Sequence, residues 1–271
     1  MKKILALLLI LCMILGLTAC TNPLKQTEEE ESVEKEEIQG VHMKEYLKDK
    51  TFKVGVSPDF APFSYLNDDG DMEGFDIDYL DEISQYLGFD YTLVIEQMDE
   101  IEQDLESGQI DFAISGISVT DSRSKKFQFT DTYYETSMTL VKNGDVEVTN
   151  RREMEDLKIG AEEGTAACEY LLTYMSENNK IKSYENMTKV FKKLEKGKID
   201  AALADATTID YYLENHPDSK IVTVETGLNS DQSNYAIMCG EDFEYVDAFN
   251  VAMKQIDLDG VYQELYNQWF H

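Results

Sequence analysis

Two stretches of this chain repeat each other. Residues 105–113 read LESGQIDFA and residues 194–202 read LEKGKIDAA, both of the form L-E-x-G-x-I-D-x-A. Each predicts a helix end, a glycine in the left-handed position that closes it, and a short buried strand. A second pair stands upstream: KVGVS at 53–57 and KIGAE at 158–162, each a strand leading towards a helix. Two copies of strand, helix, strand in one chain imply two α/β units of like topology.

In the first copy the helix after the strand is DIDYLDEISQYL (76–87), with Ile77, Leu80, Ile83 and Leu87 on one face. In the second it is TAACEYLLTYM (165–175), opening at Thr165, a good N-cap just after Gly164. Ligands of open α/β sheets bind beyond the carboxyl ends of the strands, so the repeat predicts which residues meet. Counting from the shared glycines, Ser115 and Gly116 correspond to Ala204 and Asp205, and Ser57 corresponds to Glu162. One wall of a cleft then offers Ser115, Gly116, Ser118 and Arg123, from the polar run SGISVTDSR. The other offers Asp205 and the helix start at Thr165. Each has a plainer alternative: a capped turn for the polar run, a surface arginine beside Lys125 and Lys126, and a helix N-cap for Asp205.

A free α-amino acid carries a carboxylate and an ammonium on one carbon, so its site needs both charge signs in fixed geometry. Arg123 can offer a two-pronged fork to the carboxylate, joined by backbone N–H groups near Ala166. Asp205 can receive the ammonium, helped by the Gly116 carbonyl and the Ser118 hydroxyl. Charge-assisted bonds contribute about 1.5–3 kcal/mol each, so a few reach the roughly 8 kcal/mol of micromolar affinity.

The N-terminus sets the compartment. Residues 1–19 have two lysines, an apolar core and small residues, the layout of an export signal, and Leu17-Thr18-Ala19-Cys20 reads as a lipobox whose cysteine receives lipid. An ordinary signal with a chance cysteine is the alternative. Residues 20–42 form an acidic tether too poor in large apolar side chains to fold. The formal net charge of −30 opposes nucleic acid and anionic membrane surfaces as partners. His42, His216 and His271 fall outside the cleft motifs, and no nucleophile–base or metal-ligand spacing is present, which points away from an enzyme and from any cofactor or metal.

FAPFSY (60–65), GFDID (74–78), GISVTDSR (116–123), FTDTYY (129–134), EGTAA (163–167), GKIDAALAD (197–205) and the closing GVYQELYNQWF (260–270) together resemble the extracellular solute-binding proteins of amino-acid ABC transporters, family 3. The resemblance runs from about Thr51 to the C-terminus. It implies a type II periplasmic-binding fold, with one lobe of residues 43–134 and 234–271, another of 135–233, and a hinge of two crossing strands. It further implies that Phe60 stacks on the ligand side chain, that Arg123 grips the carboxylate with amides near Ser118 and Ala166, and that Asp205 with Gly116 holds the ammonium. A monomer delivering its ligand to an ABC permease follows. A ligand-sensing ectodomain or a dehydratase-like enzyme on the same fold are the alternatives. Cys168 and Cys239 then fall in different lobes, which favours free thiols over a disulfide. Glu100, after Met98-Asp99, and Glu162 are the expected specificity residues, favouring a cationic or hydrogen-bond-donating side chain, cystine included. Ser57 counts against a strongly basic ligand, because binders of basic amino acids commonly place a carboxylate there.

Overall fold

A computed structural model describes residues 43–147, 154–224 and 233–270. The export signal, Cys20 and the acidic tether lie outside these residues.

In chain order the strands are β1 (Thr51–Val56), β2 (Asp59–Phe60), β3 (Ser64–Leu66), β4 (Met72–Glu73), β5 (Asp90–Ile95), β6 (Phe112–Ala113), β7 (Gln128–Phe129), β8 (Met138–Asn143), β9 (Lys158–Glu162), β10 (Lys180–Tyr184), β11 (Ala201–Asp205), β12 (Ile221–Val224) and β13 (Met238–Cys239). The helices are α1 (Phe75–Leu87), α2 (Met98–Ser107), α3 (Ala166–Tyr174), α4 (Met187–Glu195), α5 (Ala206–Asn215), α6 (Val246–Leu258) and α7 (Val261–Phe270). One five-stranded sheet has the order β5-β1-β6-β13-β7 and a second has β10-β9-β11-β8-β12; β2, β3 and β4 make a small third sheet.

The repeat is visible in the pairing. β1 runs parallel to β5 and β6, and β9 runs parallel to β10 and β11, so β1-α1-β5-α2-β6 and β9-α3-β10-α4-β11 are the same unit twice. The repeated residues explain each other. The aspartate of each I-D pair accepts from the backbone N–H of the lysine in the matching K-x-G strand: Lys53 N to Asp111 Oδ2 is 2.7 Å and Lys158 N to Asp200 Oδ2 is 2.8 Å. The isoleucine of each pair lies over the strand glycine. A Cβ on Gly55 would sit 2.6 Å from Ile110 Cδ1, and one on Gly160 2.5 Å from Ile199 Cδ1. Only a glycine leaves room for that side chain.

Each lobe has its own core. The first gathers Phe52, Val54, Phe75, Leu80, Ile83, Phe112 and Phe249, with α6 and α7 closing the outer side. The buried face of α1 includes Ile77, Leu80, Ile83 and Leu87, as the 3.6-residue spacing predicts. In the second lobe β11 is covered on both faces, Ala201 and Leu203 towards one cluster and Ala202 and Ala204 towards another, which is why it reads as an unbroken apolar run.

The chain leaves the first sheet through 130–134 to enter β8 and returns through 233–235 to β13. These crossings hold each other: Tyr235 bridges Tyr134 and Ser118, and its ring stacks on that of Tyr134 at 5.7 Å. Cys168 on α3 and Cys239 on β13 are free, buried thiols.

The glycine–isoleucine fit makes a prediction. Gly160→Ala should cost about 1–3 kcal/mol of stability through overpacking. Adding Ile199→Val, which deletes the obstructing methyl, should recover part of that loss in chemical denaturation. Strictly additive losses would mean that Ile199 does not fill the space over Gly160.

Candidate functional site

The carboxyl ends of β1 and β6 in the first lobe and of β9 and β11 in the second converge on the seam. The polar run after β6 is held there by neighbours distant in sequence. Ser115 Oγ accepts from Ser57 N at 2.9 Å and shares a hydrogen bond with Ser64 Oγ at 2.7 Å. Gly116 has φ of +55°, and a Cβ there would lie 2.1 Å from Phe60 Cε1, so the Phe60 ring rests directly on the Gly116 backbone. The Gly116 N–H donates to Asp76 Oδ2 at 2.7 Å. Asp76 is fully buried at the start of α1, and burial raises its carboxyl to about 7 against the opposing pull of Tyr133 and this N–H.

Arg123 is not a surface arginine. Its side chain is 4% exposed. Nε binds Glu102 Oε1 on α2 at 3.0 Å, Nη1 donates to the Ser118 carbonyl at 2.9 Å, and Nη2 donates to the Gly164 carbonyl of the second lobe at 2.6 Å. The guanidinium has five N–H groups, so one on each terminal nitrogen remains for a carboxylate.

Asp205 ends β11 and occupies the N-cap position of α5, but its side chain makes no cap bond. Its Oδ1 is buried with no hydrogen-bond partner among the described residues. Desolvation raises its carboxyl to about 7, against the opposing effects of the adjacent Tyr235 hydroxyl and the Arg123 charge. The structure thus places a cation and a carboxyl at one seam. Thr165 is the N-cap of α3, its Oγ1 accepting from Cys168 N at 3.2 Å and donating to the Glu162 carbonyl at 2.7 Å. Ala166, the first residue of that helix, is buried beside it. Ser118 is buried and paired through its backbone with Tyr235.

Phe60 packs between Phe63, stacked at 5.4 Å, and Tyr235, edge-on at 5.9 Å, and is 4% exposed. Ser57 is buried, and its Oγ has no hydrogen-bond partner among the described residues. Glu162 is 2% exposed, and its Oε2 accepts from Met187 N at 3.1 Å. Burial, with Asp59, Asp205 and Asp99 nearby, raises its carboxyl to about 8.

Glu100 is engaged at the start of its own helix. It is exposed and its Oε2 accepts from Gln97 N at 3.1 Å, closing a capping box at the start of α2. Its neighbour Asp99 is the residue that meets the other lobe, packing its backbone on Gly164. Several residues of the seam were missed in the sequence: Asp76, Glu102, Asp59 and Tyr235 in the first lobe, Glu169 and Asn186 in the second. Ser122 Oγ donates to Glu169 Oε2 at 2.8 Å and Asn186 Nδ2 to Asp59 Oδ2 at 3.2 Å, both across the seam. Asp76 stood inside the quoted motif GFDID, the one signal that marked it.

The model of the bacterial extracellular solute-binding proteins, family 3, matches residues 52–271. The chain belongs to that family. This solute-binding protein is 28% identical over 225 residues to a probable histidine-binding protein of Neisseria gonorrhoeae, covering 82% of this chain and 83% of that one. It is 27% identical over 222 residues to an L-cystine-binding protein of Escherichia coli (strain K12), covering 81% and 82%. Among solved structures, an ancestral arginine-binding protein bound to arginine superposes with a TM-score of 0.75 at 27% identity, covering 82% of this chain and 98% of that one. The solute-binding protein therefore has the two-lobed type II periplasmic-binding architecture.

The buried carboxyls fix the sign of a pH effect. Asp76, Asp205 and Glu162 keep protons in the folded protein that the unfolded chain releases at ordinary carboxyl values, so stability falls as pH rises through about 7 to 8. The melting temperature of the ligand-free protein should be higher at pH 6 than at pH 8.5. Asp76→Asn should flatten part of that slope; a profile that rises with pH would contradict the assignment.

Proposed function

We propose that this solute-binding protein captures a free amino acid between its lobes and delivers it to an ABC permease. The α-carboxylate docks on the two free N–H groups of Arg123 and on the N–H groups at Thr165 and Ala166. The α-ammonium docks on Asp205, with the Gly116 carbonyl and the Ser118 hydroxyl completing its shell, and Phe60 forms the apolar wall. The observation that carries this reading is the pairing of a buried guanidinium, with donors to spare, and a buried carboxyl that has only the Tyr235 hydroxyl beside it as a donor among the described residues. That is the charge pattern of an α-amino acid.

The side chain is polar or cationic. The carboxyls that raise Glu162 support this, as do relatives whose names specify histidine, cystine and arginine. The jaws are residues 43–134 with 234–271, and 135–233; the two sheets and the two crossings support those limits. A monomer, tethered by residues 20–42 and held at the cell membrane by lipid on Cys20, completes the proposal.

Calorimetric titration with arginine, lysine, ornithine, histidine and cystine should detect micromolar or tighter binding to at least one. Asp205→Asn should weaken that binding by about 100-fold, the scale of truncating one partner of a buried charge pair. The variant's ligand-free melting temperature should not fall, because Asp205 gives up no cap bond. Binding to aliphatic amino acids alone, or undiminished binding by Asp205→Asn, would overturn the proposal.

A further inference from the structure

Carboxylates from both lobes converge on one point of the seam. β9 and β11 are adjacent parallel strands, paired Ala201 to Ile159 and Ala202 to Gly160, so Glu162 and Asp205 close neighbouring strand ends. At the start of α4, Asn186 and Met187 hold two acids on consecutive residues. The Asn186 amide donates to Asp59 of the first lobe, and the Met187 N–H donates to Glu162 of the second. Asp99 approaches from α2, where a Cβ on Gly164 would lie 2.6 Å from its backbone. Asp205 is committed to the ligand ammonium in the reading above. Glu162 and Asp59 are not needed for either α group.

We infer that Glu162 is the specificity-determining residue of the cleft: with Asp59 and Asp99 it forms an anionic subsite that takes a ligand side chain bearing a positive charge. The inference rests on the amino-acid reading of the preceding section. Burial makes the charge decisive. A carboxylate only 2% exposed cannot be satisfied by bulk water, and one backbone N–H leaves most of its acceptor capacity open. A guanidinium or ammonium meets that need, and a neutral amide meets it poorly.

The groups facing Glu162 set how the subsite rests without ligand. Asp59 on β2, Asp99 on α2 and Asp205 on β11 face it with like charge, Tyr184 stands opposite on β10, and Arg123 reaches its neighbourhood only through the Gly164 carbonyl. Burial and those three acids raise its carboxyl to about 8, so near neutral pH it holds a proton. A cationic side chain displaces that proton; a neutral one does not. The Ser57 position carries no carboxylate, and the charge is supplied from the second lobe instead.

The test compares arginine with glutamine, which share the α groups and differ in the charge at the end of the side chain. The full protein should prefer arginine by at least ~30-fold, and Glu162→Gln should bring the two within ~3-fold, chiefly by loss of arginine affinity. Calorimetry at pH 7 in two buffers of different ionisation enthalpy should show more protons released with arginine than with glutamine, and Glu162→Gln should abolish the excess. Because Glu162 is protonated in the free protein, the glutamine variant is close to isosteric and should fold. Asp59→Asn, at a less buried position, should narrow the preference in the same direction and serves as the second variant. Equal weakening of both ligands by Glu162→Gln, unchanged arginine affinity, or a wild-type preference for glutamine would overturn the inference while leaving the amino-acid reading intact. Failure of wild type to bind any free amino acid would overturn that reading and the inference together.

Discussion

A guanidinium cannot lose its proton at any pH of interest, so burying Arg123 obliges the fold to surround it with acceptors. Glu102 neutralises it from α2, the Ser118 carbonyl holds it from its own loop, and the Gly164 carbonyl holds it from the other lobe. The loop has to be fixed for this to work, and Asp76 fixes it through the Gly116 N–H while Ser115 ties it to Ser57 and Ser64. The carboxyls on the far side are handled in the opposite way. Among the described residues neither Asp205 nor Glu162 is ion-paired, and desolvation outweighs the pull of Arg123 on Asp205 and keeps protons on both. The seam therefore pairs a permanent positive charge with carboxyls that burial keeps protonated.

The two lobes are joined by few polar contacts. Among the described residues, Ser122 and Thr120 with Glu169, Asn186 with Asp59 and Arg123 with Gly164, and at the crossings Thr207 with Tyr134 and Thr136 with Asn234, are single hydrogen bonds, each contributing about 0.5–3 kcal/mol net. The interiors they join are close-packed, with Phe52, Phe89, Phe112 and Phe249 in mutual ring contact in one lobe and Leu171, Ile159 and Leu203 in the other. Motion is thus cheapest at the seam, as hinge closure of rigid bodies requires. The paired tyrosines lie on the two crossings, and Tyr235 adjoins both Phe60 and Asp205.

The architecture was legible in the sequence because its cause is duplicated. K-x-G and I-D recur because the glycine makes room for the isoleucine and the aspartate accepts from the lysine's N–H, and both devices sit within one unit of the chain. Thr165 and the Ile77–Leu87 stripe were readable for the same reason. Partners that the repeated motifs do not include were not: nothing duplicated ties Asp76 to Gly116 or Asp59 to Asn186. Nothing in either neighbourhood announces the other. Glu100 was chosen over Asp99 on a finer point. Successive helical side chains point about 100° apart, so whether residue 99 or 100 faces the cleft depends on the helix starting at Met98. The boundary of a helix is what a single sequence defines least.

The most direct test is a crystal structure of the protein with its tightest-binding amino acid. The α-carboxylate oxygens should lie about 2.7–3.0 Å from the terminal nitrogens of Arg123, and the α-ammonium about the same distance from Asp205. A ligand lying in the reverse sense, or bound away from both residues, would contradict the pairing of Arg123 and Asp205 as the two halves of one grip.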